Sequence, residues 1–331
     1  MFYEYHEYKE VSADGAPLSQ SSGRSSRLWA SAIVSALLAS TPVLAQDNSG
    51  DDELKPQQMN AVKAGYNERD GASASDGQQS SGSASSGQKA QGAACEKLPS
   101  HGDLTKALDK IVEKGNVEAN GGLGNNMWAT VVDRSGVVCA VAYSGEKVGD
   151  QWPGSRGVSV SKANTANAFS LPGFALSTAN LFWPSQPGNS LFGLASSTPL
   201  LTKVVYKGSP SSWGKKDDPL VGKRAGGVTV FAGGLGLYNA DGHLLGGLGL
   251  SGDQSCTDHV IAWKVRHELN MDNVPAGVTQ AKNDNIIYDI STDPASGQKK
   301  SASNYGHPVC SPRAKAIAES FPEQYPTGPE K

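Results

Sequence analysis

Charge of one sign, long apolar runs and closely spaced cysteines are all scarce in this 331-residue sequence. Lysine and arginine total 29 against 32 aspartates and glutamates, a net charge of −3. That balance supplies no basic surface for a phosphate backbone, so no nucleic-acid partner is expected. Aromatic residues make up only 7% of the chain. The four cysteines, Cys95, Cys139, Cys256 and Cys310, form no CxxC pair, which argues against a zinc ribbon or a thioredoxin-type site.

The one concentrated apolar stretch is short. Arg24 and Arg27 precede a Ser-rich apolar segment that ends in Val43-Leu44-Ala45 before Gln46. A charged start, a brief apolar centre and a small-residue end form the layout of a secretory signal peptide. The stretch is too short for a membrane span, so none is expected after cleavage, and the product is expected to be exported, periplasmic or extracellular. Residues 1–23 are polar and unpatterned and are set aside with the signal as 1–45. Export makes disulfides permissible, and four cysteines allow three pairings. The favoured one joins Cys95 to Cys310 at the ends and Cys139 to Cys256 in the core.

Residues 46–94 are almost devoid of apolar side chains, with Gly/Ser low complexity over Asp70–Lys89. Such a segment cannot bury enough surface to offset its ordering entropy and reads as a flexible linker. Order is expected from Cys95 to Asp272. Ser100 and Asp103 form a capping pair ahead of a helix with Leu104, Leu108, Ile111 and Val112 on one face, stopping near Gly115. Met127–Asp133 and Val137–Tyr143 read as a hairpin across Arg134-Ser-Gly136.

A second helix is expected over Ser161–Phe169, where Ala163 and Ala166 permit a close neighbour. The aperiodic stretch 171–226, with Phe182, Trp183 and Phe192, reads as a long binding loop or lid. A strand follows over Gly227–Phe231, then a second hairpin, Gly236–Asn239 and His243–Leu250, turning at Asp241-Gly242. Glycines inside its last strand mark close approach by another backbone. The last helix follows Gly252, with Ser255 and Asp258 as a capping box and Ile261, Val265 and Leu269 along one face. The proline-containing region 273–331 reads as a C-terminal extension over the surface. The expected fold is α+β, with a central antiparallel sheet of about five strands flanked by helices.

The chemistry-bearing residues gather at the start of the last helix. A helix N-terminus behind glycines presents free N–H groups and a positive dipole end to an anion, which Ser251, Gly252 and Asp253 could shape. The glycines equally suit a plain strand-to-helix turn. His259 is the candidate metal or haem-iron ligand, or else a capping or surface residue. Lys162 and Thr165, one turn apart, could face the same groove; His243 is expected to be exposed. Gly249-Leu-Ser-Gly-Asp253 lacks the second glycine of a nucleophile elbow, and Gly233-Gly-Leu-Gly236 precedes a strand rather than a helix, so neither a serine hydrolase nor a dinucleotide site is indicated.

Four of these segments, in order, resemble motifs of the GlcG/HbpS-like (DUF336) family. They are Lys162-Ala-Asn-Thr-Ala166, Gly226-Gly-Val-Thr-Val230, Gly242–Gly252 and Asp258-His259-x-x-Ala262. The resemblance implies an α+β fold with an antiparallel sheet, homo-oligomers, and binding of haem or a related small molecule. The longer 171–226 loop, both tails and the cysteines depart from the short family form, and no motif residue identifies itself as an axial ligand. Three functions stay open. One is an exported protein binding haem or another anionic cofactor at Lys162, Thr165, Ser251, Gly252, Asp253 and His259. Another is an enzyme on a small carboxylated or oxidised metabolite. The last is a ligand-free envelope interaction module.

Overall fold

The computed structural model describes residues 95–112 and 117–328. The expected signal peptide and linker, and the helix stop at Gly115, lie outside the described residues.

Helix α1 (His101–Ile111) begins at an N-cap Ser100 whose hydroxyl accepts from the Asp103 N–H, while Asp103 answers the Ser100 N–H, the expected capping box. Strands β1 (Trp128–Asp133) and β2 (Val138–Tyr143) form the first hairpin. Helix α2 (Ser155–Phe169) starts six residues ahead of expectation, because its first turns bury polar side chains (Arg156, Ser159) that show no apolar period. Strands β3 (Gly234–Tyr238) and β4 (Leu244–Ser251) form the second hairpin, helix α3 (Ser255–Glu268) follows, and helix α4 (Pro312–Glu319) lies near the C-terminus.

The two hairpins merge through antiparallel pairing of β1 with β4, giving one sheet in the order β2-β1-β4-β3. It has four strands, not about five. Residues 227–231 form no strand, and side-chain hydroxyls take backbone donors in this segment and just beyond it. The Thr229 N–H donates to the Thr165 hydroxyl at 2.9 Å, and the Ala232 N–H to the Ser255 hydroxyl at 2.9 Å. Gly226, Gly227 and Gly233, at φ 63°, 86° and 113°, bend this segment away from a sheet edge. A separate ribbon pairs β5 (Ile290–Thr292) with β6 (Lys299–Ser301).

Both sheet faces are covered, so alternate residues feed two cores. Met127, Ala129, Val131, Leu235, Leu237, Leu248 and Leu250 pack with Leu104, Leu108, Val260, Ile261 and Trp263 of α1 and α3. Trp128, Val132 and Val141 pack with Val160 and Ala163 of α2. The region after Asp272 also enters the first core, through Ala314, Ala318 and Phe321.

The disulfides are Cys95–Cys139 and Cys256–Cys310, not the expected pairing. β2 is the outer strand beside α1, which puts Cys139 against the Cys95 lead-in. Cys256 opens α3, where the 305–311 segment brings Cys310 to a Cα separation of 5.8 Å.

Candidate functional site

The site is built where α2 lies flat on β4. A Cβ on Gly249 would collide with the Ser159 carbonyl, and one on Gly247 with the Ala163 carbonyl. The bare strand therefore lets α2 settle on its backbone, as the glycine pattern implied. From that contact Lys162 reaches the first turn of α3. Its Nζ lies 2.5 Å from Asp258 Oδ2 and 3.0 Å from the Leu250 carbonyl oxygen, with both side chains buried. Burial pushes the Asp258 carboxyl up to about 6, and the neighbouring ammonium opposes that shift. Burial likewise lowers Lys162, against the pull of Asp258. The partly exposed Phe231 ring lies 4.9 Å from the buried Lys162 Nζ.

The turn before α3 is held internally. Asp258 Oδ1 accepts the Asp253 N–H at 2.9 Å, and the N-cap is Gln254 rather than Ser255. The expected Ser255–Asp258 capping box is absent because Asp258 is committed to Lys162. Asp253 accepts N–H groups from Leu123 and Asn125, pinning the approach to β1. Ser251 ends β4 opposite Trp128, and a Cβ on Gly252 would strike the Asn126 carbonyl. These residues form a tight strand-to-helix turn.

Thr165 donates to the Ser161 carbonyl at 2.7 Å and accepts from Thr229. His259 is wholly buried between Trp263 and Asn285. Its Nε2 meets Asn285 Oδ1 at 3.1 Å and the Ile286 N–H at 3.2 Å, and its Nδ1 has no partner. Burial holds its pKa down at about 3, so the ring is neutral. Lys162, Ser251, Gly252 and Asp253 thus surround one turn, while Thr165 faces residues 227–231 and His259 faces the C-terminal region. His243 is exposed.

Several polar residues escaped sequence reasoning. Arg156 pairs bidentately with Asp218, and Arg266 with Asp284, all four fully buried. His307 bonds the Ser255 hydroxyl through Nε2 at 3.0 Å and the Pro308 carbonyl through Nδ1 at 2.7 Å, beside the Phe182 ring. Asp218 lies 62 residues from Arg156, Ser255 52 from His307 and Asp284 18 from Arg266, so no local pattern marks these pairs.

An open cavity of about 430 Å³ lies between the 171–226 segment and the C-terminal region. Phe169, Leu181, Trp183, Leu191 and Tyr305 give it an apolar, aromatic wall, and Asn189, Ser190 and Asn304 a polar rim. Leu181 and Trp183 flank Phe182 in sequence, and Tyr305 stands two residues before its ring partner His307. The size and lining are those of a small-molecule pocket.

Residues 103–266 match the family model described as haem degrading protein HbpS-like. No curated protein matches the chain. Among solved structures, a PduOC:heme complex is 23% identical, with a TM-score of 0.36, over 52% of this chain and 93% of that one. Klebsiella pneumoniae protein ORFY, of family DUF336, is 20% identical, with a TM-score of 0.33, over 50% of this chain and 87% of that one.

Proposed function

Because residues 103–266 belong to the HbpS-like family, we propose that this chain binds haem or a similarly flat small molecule. The cavity walled by Trp183 and Tyr305 is the site. One observation carries the choice of place: the Lys162–Asp258 cluster is sealed and its polar groups are paired, whereas that cavity is open and aromatic.

The residues fit the group. A macrocycle needs apolar and aromatic surface, which Phe169, Leu181, Trp183 and Leu191 provide. Its carboxylates can stay at the polar rim of Asn189, Ser190 and Asn304, in contact with water. Tyr305 is the one lining side chain with a phenol oxygen, a known type of haem-iron ligand. His259 is a poor candidate, since its ring is enclosed on all sides and its Nε2 is engaged. Bound haem would supply redox-active iron; the protein supplies the aromatic-walled cavity and one oxygen donor.

Export belongs to the same reading. Two disulfides that use all four cysteines support passage through an oxidising compartment. Among the described residues no helix is long and apolar enough to cross a membrane. Self-association is also proposed, and the exposed Trp152, Phe192 and Leu201 offer apolar surface for it.

Haemin titration tests the site. A saturable Soret change is expected, weakened at least tenfold by Trp183→Ala and altered in band position by Tyr305→Phe, with His259→Ala close to wild type. Loss of binding in His259→Ala alone, with a folded spectrum retained, would move the site to α3.

A further inference from the structure

Cys256, His307 and Cys310 lie together at the start of α3, with one donor atom from each within 4.8 Å of the others. His307 Nδ1 is 3.9 Å from Cys256 Sγ. The Pro308 carbonyl oxygen points into the same cluster, 2.7 Å from Nδ1, 3.5 Å from Cys256 Sγ and 3.9 Å from Cys310 Sγ. Two sulfurs, one imidazole nitrogen and one oxygen therefore converge on a single point, held there at present by the disulfide. Zinc bonds of about 2.3 Å to sulfur and 2.0 Å to nitrogen place tetrahedral donors roughly 3.5 Å apart, near the 3.5–3.9 Å that separates Cys256 Sγ from the nitrogen and both sulfurs from the oxygen here, while the two sulfurs, now bonded to each other, and the nitrogen–oxygen pair, now 2.7 Å apart, must move apart. We propose that, once a dithiol opens the Cys256–Cys310 disulfide, Cys256, His307 and Cys310 bind a zinc ion, with the Pro308 carbonyl as the fourth donor.

The surroundings suit thiolates. Cys256 stands in the first turn of α3, at the positive end of the helix dipole, where a sulfur anion is favoured. The Cys310 N–H points at Cys256 Sγ at 3.1 Å, and the Cys256 N–H at Cys310 Sγ at 3.2 Å. Cys310 is the partly exposed member, so an incoming thiol can reach its sulfur. The reductant's first thiolate attacks Cys310 Sγ, the protein S–S bond breaks, and Cys256 leaves as a thiolate. The reductant's second thiol then closes on its own sulfur of the mixed disulfide and releases Cys310. Two electrons and two protons pass from the dithiol to the protein, and the dithiol departs as a cyclic disulfide. Zinc binding afterwards releases the two thiol protons.

His307 needs only to exchange its proton. Its Nδ1 gives up the Pro308 bond and presents a lone pair, while Nε2–H donates to the Ser255 hydroxyl already 3.0 Å away. That hydroxyl can accept this bond beside the one from Ala232, and so orients the ligand ring from behind. The other disulfide lacks these features. It has no histidine, and the nearby Asp133 carboxylate is taken by the Ser135 and Val137 N–H groups.

The test uses the full chain, reduced anaerobically with dithiothreitol, desalted, and titrated with Co²⁺ as the spectroscopic probe for zinc. Expected are one equivalent bound, a thiolate-to-cobalt charge-transfer band, tetrahedral d–d bands, and displacement by Zn²⁺. Oxidised protein should show none of these. Cys256→Ser should lose the band, and His307→Ala should weaken binding at least tenfold and shift the d–d bands. Zn²⁺ should protect Cys256 and Cys310, but not Cys95 and Cys139, from alkylation, as read by mass spectrometry. Absence of the band, its survival in Cys256→Ser, protection of the other cysteines instead, or loss of the folded circular dichroism spectrum on reduction would each overturn the proposal.

Discussion

Lys162 Nζ and Asp258 Oδ2 lie 2.5 Å apart with 0% and 3% of their side chains exposed, so one buried ion pair ties α2 to the first turn of α3. Removing one partner strands a charge in the core, at a cost of about 3–5 kcal/mol. Lys162→Met should lose stability on that scale in urea unfolding. The double variant Lys162→Met with Asp258→Leu should recover much of it. A single-variant loss below about 1 kcal/mol would show that the pair does not hold the two helices together.

The contact of α2 on β4 depends on missing side chains. Gly249→Ala puts a methyl group against the Ser159 carbonyl, backbone against backbone, where neither side can yield cheaply. Overpacking of this kind costs about 1–3 kcal/mol, and the thermal midpoint should fall accordingly. Gly149→Ala, where a Cβ meets nothing within 4 Å, is the control and should be near neutral.

His259 makes stability depend on acid. Burial lowers its folded pKa to about 3, while an unfolded histidine titrates near its ordinary 6.5. The Asp284 carboxylate and the Asn285 amide pull the value up; Arg266 and His307 push it further down. Between the two values the unfolded chain takes a proton that the folded chain refuses. Its contribution is therefore complete above about pH 6.5 and is lost as pH falls toward 3, at about 1.4 kcal/mol per pH unit. Asp258, raised to about 6, acts in the opposite sense between its ordinary 3.8 and 6. The difference between wild type and His259→Gln isolates the histidine. It should shrink steadily below pH 6.5, and a difference independent of pH would contradict the burial argument.

The framework was legible wherever the signal was local. The Ser100–Asp103 cap, the apolar stripe of α1, the two hairpins and the glycines under α2 all follow from neighbouring residues. The expectation that Lys162 faces the start of the last helix holds as well, because β1–β4 pairing brings it beside the first turn of α3. What failed required distant partners. The 227–231 segment has strand composition, yet its Thr229 N–H is claimed by Thr165, and the Ala232 N–H just beyond it by Ser255. The cysteine pairing follows from which elements lie side by side, not from spacing. Asn285, Asp284 and His307 come from a region that reads as polar tail, and they close over α3 and enclose His259. The aromatic cavity was hinted at only by the length of the 171–226 stretch and its Trp183; Tyr305 carried no signal at all.

A crystal structure of the haemin-soaked protein locates the ligand directly. The macrocycle is expected in the cavity between Trp183 and Tyr305, with the Tyr305 hydroxyl on the iron and the Lys162–Asp258 pair undisturbed. Haemin seated on His259, or bound beside an opened Lys162–Asp258 pair with the Trp183 cavity empty, would contradict that placement.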